Sequence, residues 1–250
     1  MPPIKELHYF DHLYVPDNRV WTHQHIKQGA RDAISWHVKH SEYVDLAYVN
    51  YLSDLALADV FSESWYQRAF DRPAAQGKVL GDITPEYCTI PRKGIEYVRT
   101  LLGDVKLIYI IRDPVSRALS QIRMTADRQY GKRARKLKEA QWAEVVEKTP
   151  VSNRGNYRDY IPQWVDVFGE DNILFLPFGR IKRDSRNLMA EVEQFIGVPP
   201  YGGYSSPGKA VHVTKKTKIP DSVIEPLADE LRQQREFLQS YFGAGFTAST

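Results

Sequence analysis

A strand–helix junction holds the first side chains with chemical potential. Lys106 to Ile111 (KLIYII) is an almost unbroken apolar run and reads as a strand buried on both faces of a parallel sheet. It stops at Arg112-Asp113-Pro114, where Asp113 suits a helix N-cap and Pro114 the first helical position. Open α/β sheets bind ligands beyond the carboxyl ends of their strands. The helix that follows offers free N–H groups and the positive end of its dipole. Arg112 at the strand end and Ser120, two turns into the helix, could grip one phosphate, at about 1.5–3 kcal/mol for each charge-assisted hydrogen bond. The same residues admit a plainer reading, in which Arg112 pairs with Asp113 or another carboxylate and Ser120 fills space.

A second group lies in Lys5-Glu6-Leu7-His8-Tyr9-Phe10-Asp11. In an extended chain Glu6 and His8 project to one side and Lys5 and Leu7 to the other. A carboxylate beside an imidazole makes an acid/base pair; the plainer reading is charge solvated near a terminus. A third group, Gly81 to Tyr87, puts Thr84-Pro85 at the end of a short strand over Lys78–Asp82 and also fits an ordinary loop opening. His12, His23, His25, His37 and His40 have neither a cysteine neighbour nor helical metal-ligand spacing, so no metal site is expected. Cys88 is the only cysteine, which excludes an intrachain disulfide, and it reads as a small half-buried side chain.

The elements that must position these groups follow from periodicity. Helices are expected over 94–102, from Pro114 onward, over 157–168 and over 188–196 with Gly197 as a stop. Asn172 to Pro177 reads as another buried strand. A last helix is expected from Asp221 through Phe242, opened by a Ser222/Glu225 capping box, and the tail after Gly243 is expected to fray. Helices alternating with strands give an α/β domain with a mainly parallel sheet. The chain has 250 residues, 42% apolar and 26% charged, which is globular composition and excludes disordered, collagen-like and disulfide-scaffold classes. A net charge of +3 does not indicate a nucleic-acid partner. No apolar run is long enough to span a bilayer and no signal peptide opens the chain, so a cytoplasmic location is expected.

Taken in order, these segments resemble the sulfotransferases that use 3′-phosphoadenosine 5′-phosphosulfate (PAPS), in particular the heparan-sulfate-type and bacterial carbohydrate branch. Lys5 to Asp11 is similar to that branch's K-E-x-H-F-F-D segment, and Asp82 to Tyr87 to its E-K-T-P-x-Y segment. LIYIIRDPVSRALSQ, Leu107 to Gln121, resembles the 3′-phosphate motif. Arg154-Gly155-Asn156-Tyr157 resembles the R-x-G-x-Y segment, and Thr214-Lys215 with Pro220 the late S-K-G-R-x-x-P loop. The resemblance runs from residue 2 to about residue 243. It implies a P-loop-like three-layer domain, a sheet flanked by helices, over 1–243, with 12–64 as an acceptor-side insertion. It further implies that Arg112 and Ser120 bind the 3′-phosphate, that Lys215 and Lys216 reach a cofactor phosphate, and that Tyr157 packs near the nucleotide. Glu6 would be the general base, His8 its partner, and Lys5, Asp11 and Thr84 acceptor-side residues. The reaction implied is sulfuryl transfer from PAPS to a hydroxyl, or less readily an amine, of a carbohydrate or glycolipid, with no metal.

Three departures from the family pattern stand out. The family's K-x-G-T-T phosphate loop and its strand precede the K-E-x-H segment, whereas here Met1 lies four residues before Lys5 and no such run follows. The first strand and phosphate loop are therefore expected to be missing, with Met1 an internal methionine of a longer protein. The alternative is a non-catalytic, nucleotide- or partner-binding member. Ile83 replaces a lysine common in the heparan type, and the single cysteine differs from the cysteine pair of many Golgi members.

Overall fold

The computed structural model describes residues 1–72, 76–149, 153–204 and 217–250. Residues Met1–Gly103 and Asp104–Thr250 form two compact units. The first carries α1 (Tyr9–Tyr14), α2 (Arg19–His40), α3 (Leu46–Leu57), α4 (Glu63–Arg68) and α5 (Arg92–Leu102). The second carries β1 (Leu107–Ile111), α6 (Pro114–Tyr130), α7 (Glu139–Glu147), α8 (Tyr157–Phe168), β2 (Ile173–Pro177), α9 (Arg180–Arg183), α10 (Ser185–Ile196), α11 (Asp221–Glu230), α12 (Arg232–Phe242) and α13 (Ala244–Thr247). The expected α/β class holds: β1 and β2 pair in parallel, Leu107 opposite Ile173 and Ile111 opposite Pro177. Among the described residues the sheet has these two strands.

The junction forms as its residues dictate. Asp113 is the N-cap of α6, accepting the Ser116 N–H at 2.8 Å, and Pro114 opens the helix. Val115, Ala118, Ile122 and Ala126 turn one face of α6 into a core with Trp142 and Val145 of α7 and Leu227 of α11. A second core joins Ile111 to Tyr157 and Ile161 of α8 and Leu238 of α12.

Five expectations are corrected. β1 is not buried on both faces: Ile108 is 42% and Ile110 48% exposed, whereas Tyr109 packs with Phe175 against the core around Ile111. Lys78–Asp82 is not a strand; Val79 and Leu80 are exposed, and two apolar residues between Gly77 and Gly81 are too few to hold a ladder without a partner. The helix from Asp221 breaks at Leu231, which lets Leu227 and Leu231 enter one core and Leu238 the other. Its expected capping box is absent, because Pro220 is the N-cap and the Ser222 hydroxyl donates to Glu139. The tail does not fray: Phe246 stacks on Phe242 and the Ser249 carbonyl accepts the Gly179 N–H at 2.8 Å.

Because Asp113 both caps α6 and accepts from Arg235, Asp113→Ala is expected to cost about 1–2 kcal/mol. Asp113→Asn, which keeps a capping oxygen, should retain most of that. Urea denaturation of the three proteins checks both outcomes.

Candidate active site

In the first unit, one face of α2 sets the geometry. Trp21, His25 and Gly29 recur every four residues and so form a stripe. Ile4 lies directly on Gly29: a Cβ there would come 2.6 Å from Ile4 Cγ2. One turn back, His25 Nε2 sits 2.9 Å from the Lys5 carbonyl. The His8 ring then meets Trp21 and His25 edge-on, with centroids 4.5 and 4.9 Å away. The N-terminal segment is thus laid along the helix by a glycine, a histidine and a tryptophan in register.

The segment is not extended as expected. Glu6 (φ 58°) and His8 (φ 52°) both take the left-handed conformation. That costs about 1–2 kcal/mol per residue, and such strain persists only where the surroundings enforce it. It also changes the facing: Leu7 is fully buried while Lys5 is exposed. Glu6 and His8 still converge, with Glu6 Oε2 3.4 Å from His8 Nε2.

Asp11, fully buried, accepts from His8 Nδ1 at 3.0 and 3.2 Å and from Asn18 Nδ2 at 2.7 Å. Burial works against a charged imidazole, but the hydrogen bond to Asp11 and the neighbouring Glu6 outweigh it and hold His8 up at about 9. His12 goes the other way, pulled down to about 4 by burial and by His23. His8 Nε2 is buried and has no hydrogen-bond partner, its contact with Glu6 being long for one. Ligand atoms of Glu6, His8 and His25 all lie within 4.8 Å of one another. Sequence spacing missed His25, because it reaches the pair from another element.

Thr84, expected on the acceptor side, donates to Asp82 at 2.9 Å, and the Tyr87 hydroxyl donates to the same carboxylate at 2.6 Å. Tyr87 in turn accepts the Tyr9 N–H at 3.1 Å, so this group braces the start of α1.

In the second unit, Arg112 ends β1. Its backbone is clamped by Tyr157, whose hydroxyl accepts the Arg112 N–H at 3.3 Å and donates to its carbonyl at 3.0 Å. Tyr157 is 2% exposed, which makes it a positioning residue for Arg112. The Arg112 guanidinium lies 4.8 Å over the Phe178 ring. Asp113 does not pair with it; that carboxylate is committed to the α6 cap and to Arg235 Nε at 2.7 Å. Burial and the nearby charge of Arg123 pull the Arg112 pKa down, Tyr157 and Asp113 only partly opposing them. Arg123 lies one turn beyond Ser120 on α6 and donates through Nε to the Thr217 carbonyl at 3.1 Å. Ser120 is half-buried. Gly155 lets the Arg117 side chain pack against the backbone, since a Cβ would meet Arg117 Nε at 2.8 Å. Thr214, Lys215 and Lys216 lie outside the described residues.

The sulfotransferase domain model matches residues 97–218. Heparan sulfate glucosamine 3-O-sulfotransferase 3A1 of Mus musculus is 23% identical over 145 residues, covering 54% of this chain and 35% of the relative. Heparan sulfate glucosamine 3-O-sulfotransferase 6 of Homo sapiens is 26% identical over 137 residues, covering 54% and 40%. The chain therefore spans well under half the length of these curated relatives. A sulfotransferase from Alicyclobacillus acidocaldarius superposes with a TM-score of 0.57 at 20% identity, covering 96% of this chain and 83% of that one. The sulfotransferase domain from the curacin biosynthetic pathway gives 0.50 at 17% identity, over 92% and 87%. The two solved structures show the sulfotransferase fold, and the domain match gives similarity to that family over residues 97–218. No helix among the described residues is long and apolar enough to cross a membrane.

Gly29→Ala tests how the first unit is registered. Alanine favours a helix by about 1 kcal/mol, but Ile4 is buried and branched at the contact, and overpacking costs about 1–3 kcal/mol. Net destabilisation is expected in thermal melts. Gly29→Ala combined with Ile4→Val should recover part of it.

Proposed function

We propose that this sulfotransferase family member moves a sulfuryl group from PAPS to a hydroxyl of a carbohydrate acceptor. The observation that carries the reading is Arg112. It is a half-buried guanidinium whose adjacent carboxylate is committed elsewhere, with a second arginine close enough to raise its cost. An arrangement of this kind is stabilised by a bound anion. Its place at a strand's carboxyl end, before a helix N-terminus, suits a phosphate. Arg112 and Ser120 are assigned to the nucleotide 3′-phosphate, with Tyr157 holding the Arg112 peptide. Lys215 and Lys216 are assigned to a cofactor phosphate on the motif resemblance alone.

In the reaction, the acceptor oxygen attacks sulfur, the bond from sulfur to the phosphate oxygen breaks, and the 3′,5′-bisphosphate departs. Glu6 takes the acceptor proton. His8, fixed by Asp11, keeps a positive charge 3.4 Å from the Glu6 carboxylate and fixes its orientation. A positioned base contributes about 10²–10⁴-fold, and the remaining catalysis is positioning and electrostatic stabilisation, as in phosphoryl transfer. The heparan sulfate glucosamine 3-O-sulfotransferases among the relatives support the carbohydrate acceptor.

Calorimetry with 3′,5′-phosphoadenosine tests the donor half. Arg112→Ala and Ser120→Ala are each expected to weaken binding, by about 10- to 100-fold for the arginine. Glu6→Gln should leave that binding intact and lower turnover of an N-sulfated heparosan oligosaccharide by about 10²-fold or more. Equal affinity in Arg112→Ala and the parent protein would remove the phosphate assignment. Tight nucleotide binding without transfer to any glycan would favour the non-catalytic alternative.

A further inference from the structure

The cluster on the α2 stripe has a chemistry beyond proton transfer. Glu6, His8 and His25 offer one carboxylate and two imidazoles, with ligand atoms all within 4.8 Å. Zinc binds such atoms at about 2.0–2.2 Å, which puts neighbouring ligands of a tetrahedral site about 3.3 Å apart. The separation of Glu6 Oε2 and His8 Nε2, 3.4 Å, already has that value. His8 Nε2 is also buried, on a side chain that is 1% exposed, and it meets Glu6 at ion-pair distance with no closer hydrogen bond, so a polar atom is aimed into the cluster. At the other nitrogen, His8 Nδ1 is fixed by the buried Asp11 carboxylate, the outer partner that metal-bound histidines use to set tautomer and ring angle.

We propose that Glu6, His8 and His25 form a binding site for a Zn2+-class divalent cation, and that its occupancy turns off sulfuryl transfer by engaging the Glu6 carboxylate. Two nitrogen donors in three select zinc and its borderline neighbours over Mg2+ and Ca2+, which take oxygen ligands. Three protein ligands leave one coordination position open, the pattern of an exchangeable site. On binding, His8 gives up its Nε2 proton to solvent while Asp11 stays on Nδ1. The Glu6 side chain, 43% exposed, gives the ion an entry route. The cation is thus a reversible inhibitor; the inhibition rests on Glu6 acting as base, whereas the binding does not.

The experiment has separate readouts for the two parts. The metal-free protein is titrated with ZnCl2 against a chromophoric chelator, and with CoCl2 while the visible d–d band is followed. One strong site and an intense cobalt band are expected. His25→Gln and Glu6→Gln should each weaken zinc at least tenfold and reduce the band, while His40→Gln, an exposed histidine of α2 outside the cluster, should change neither. Circular dichroism of each variant confirms that its helices persist. Equal zinc affinity in His25→Gln and the parent protein, in folded samples, would overturn the site. Zinc bound with the expected residue dependence, but with sulfuryl transfer undiminished, would overturn the inhibition and with it the base role of Glu6, leaving the metal site standing. Inhibition relieved by chelator in the parent protein and blunted in His25→Gln supports both parts.

Discussion

Asp113 has two obligations, the open N-terminus of α6 and the guanidinium of Arg235, and it meets both at hydrogen-bond distance. What it does not do is neutralise Arg112, its neighbour in sequence. The arginine is held in place from elsewhere: Tyr157 grips both sides of its peptide and Phe178 lies under its guanidinium. Desolvating a cation without a counter-charge is costly. Under the proposed function a bound anion offsets that cost.

The first unit accepts a different cost. Two left-handed residues in the space of three are unfavourable by about 2–4 kcal/mol together. They are enforced by contacts along α2: Ile4 seated on Gly29, the Lys5 carbonyl on His25, the His8 ring against Trp21. The buried Asp11 completes the hold on His8. The result is a rigid imidazole between two carboxylates of different exposure, one sealed and one reachable from solvent. A buried, charged imidazole held against a partly exposed carboxylate suits the proton transfer proposed for Glu6. Once deprotonated, the imidazole is also a ligand, so the proposed base and the proposed metal site draw on one cluster.

Both units spend stability locally to hold polar groups that their own folds do not fully satisfy. In the second unit stability recovers in two cores, one of α6, α7 and α11 and the other of Ile111, α8 and α12. The break at Leu231 belongs to this arrangement, since it delivers apolar residues of one continuous stretch to two separate cores.

Periodicity and capping signals determined α5, α6, α8, α10 and both strands, because a capping residue, a proline and an apolar run act over a few residues and need no distant partner. Residue type and spacing singled out Glu6, His8, Arg112 and Ser120, and motif resemblance supplied the roles expected of them. Tertiary structure decided what those residues touch. The Glu6–His8 pair forms through left-handed backbone where an extended chain is expected, because α2 dictates the path. His25 joins it from another element, Thr84 turns inward to Asp82, and Asp113 leaves Arg112 for Arg235. The exposed face of β1 and the ordered tail were equally out of reach, for burial and a hydrogen bond such as that from Gly179 to Ser249 depend on which segments meet. Local sequence fixes the conformations a segment favours; only packing fixes which partner each charged or polar atom finds.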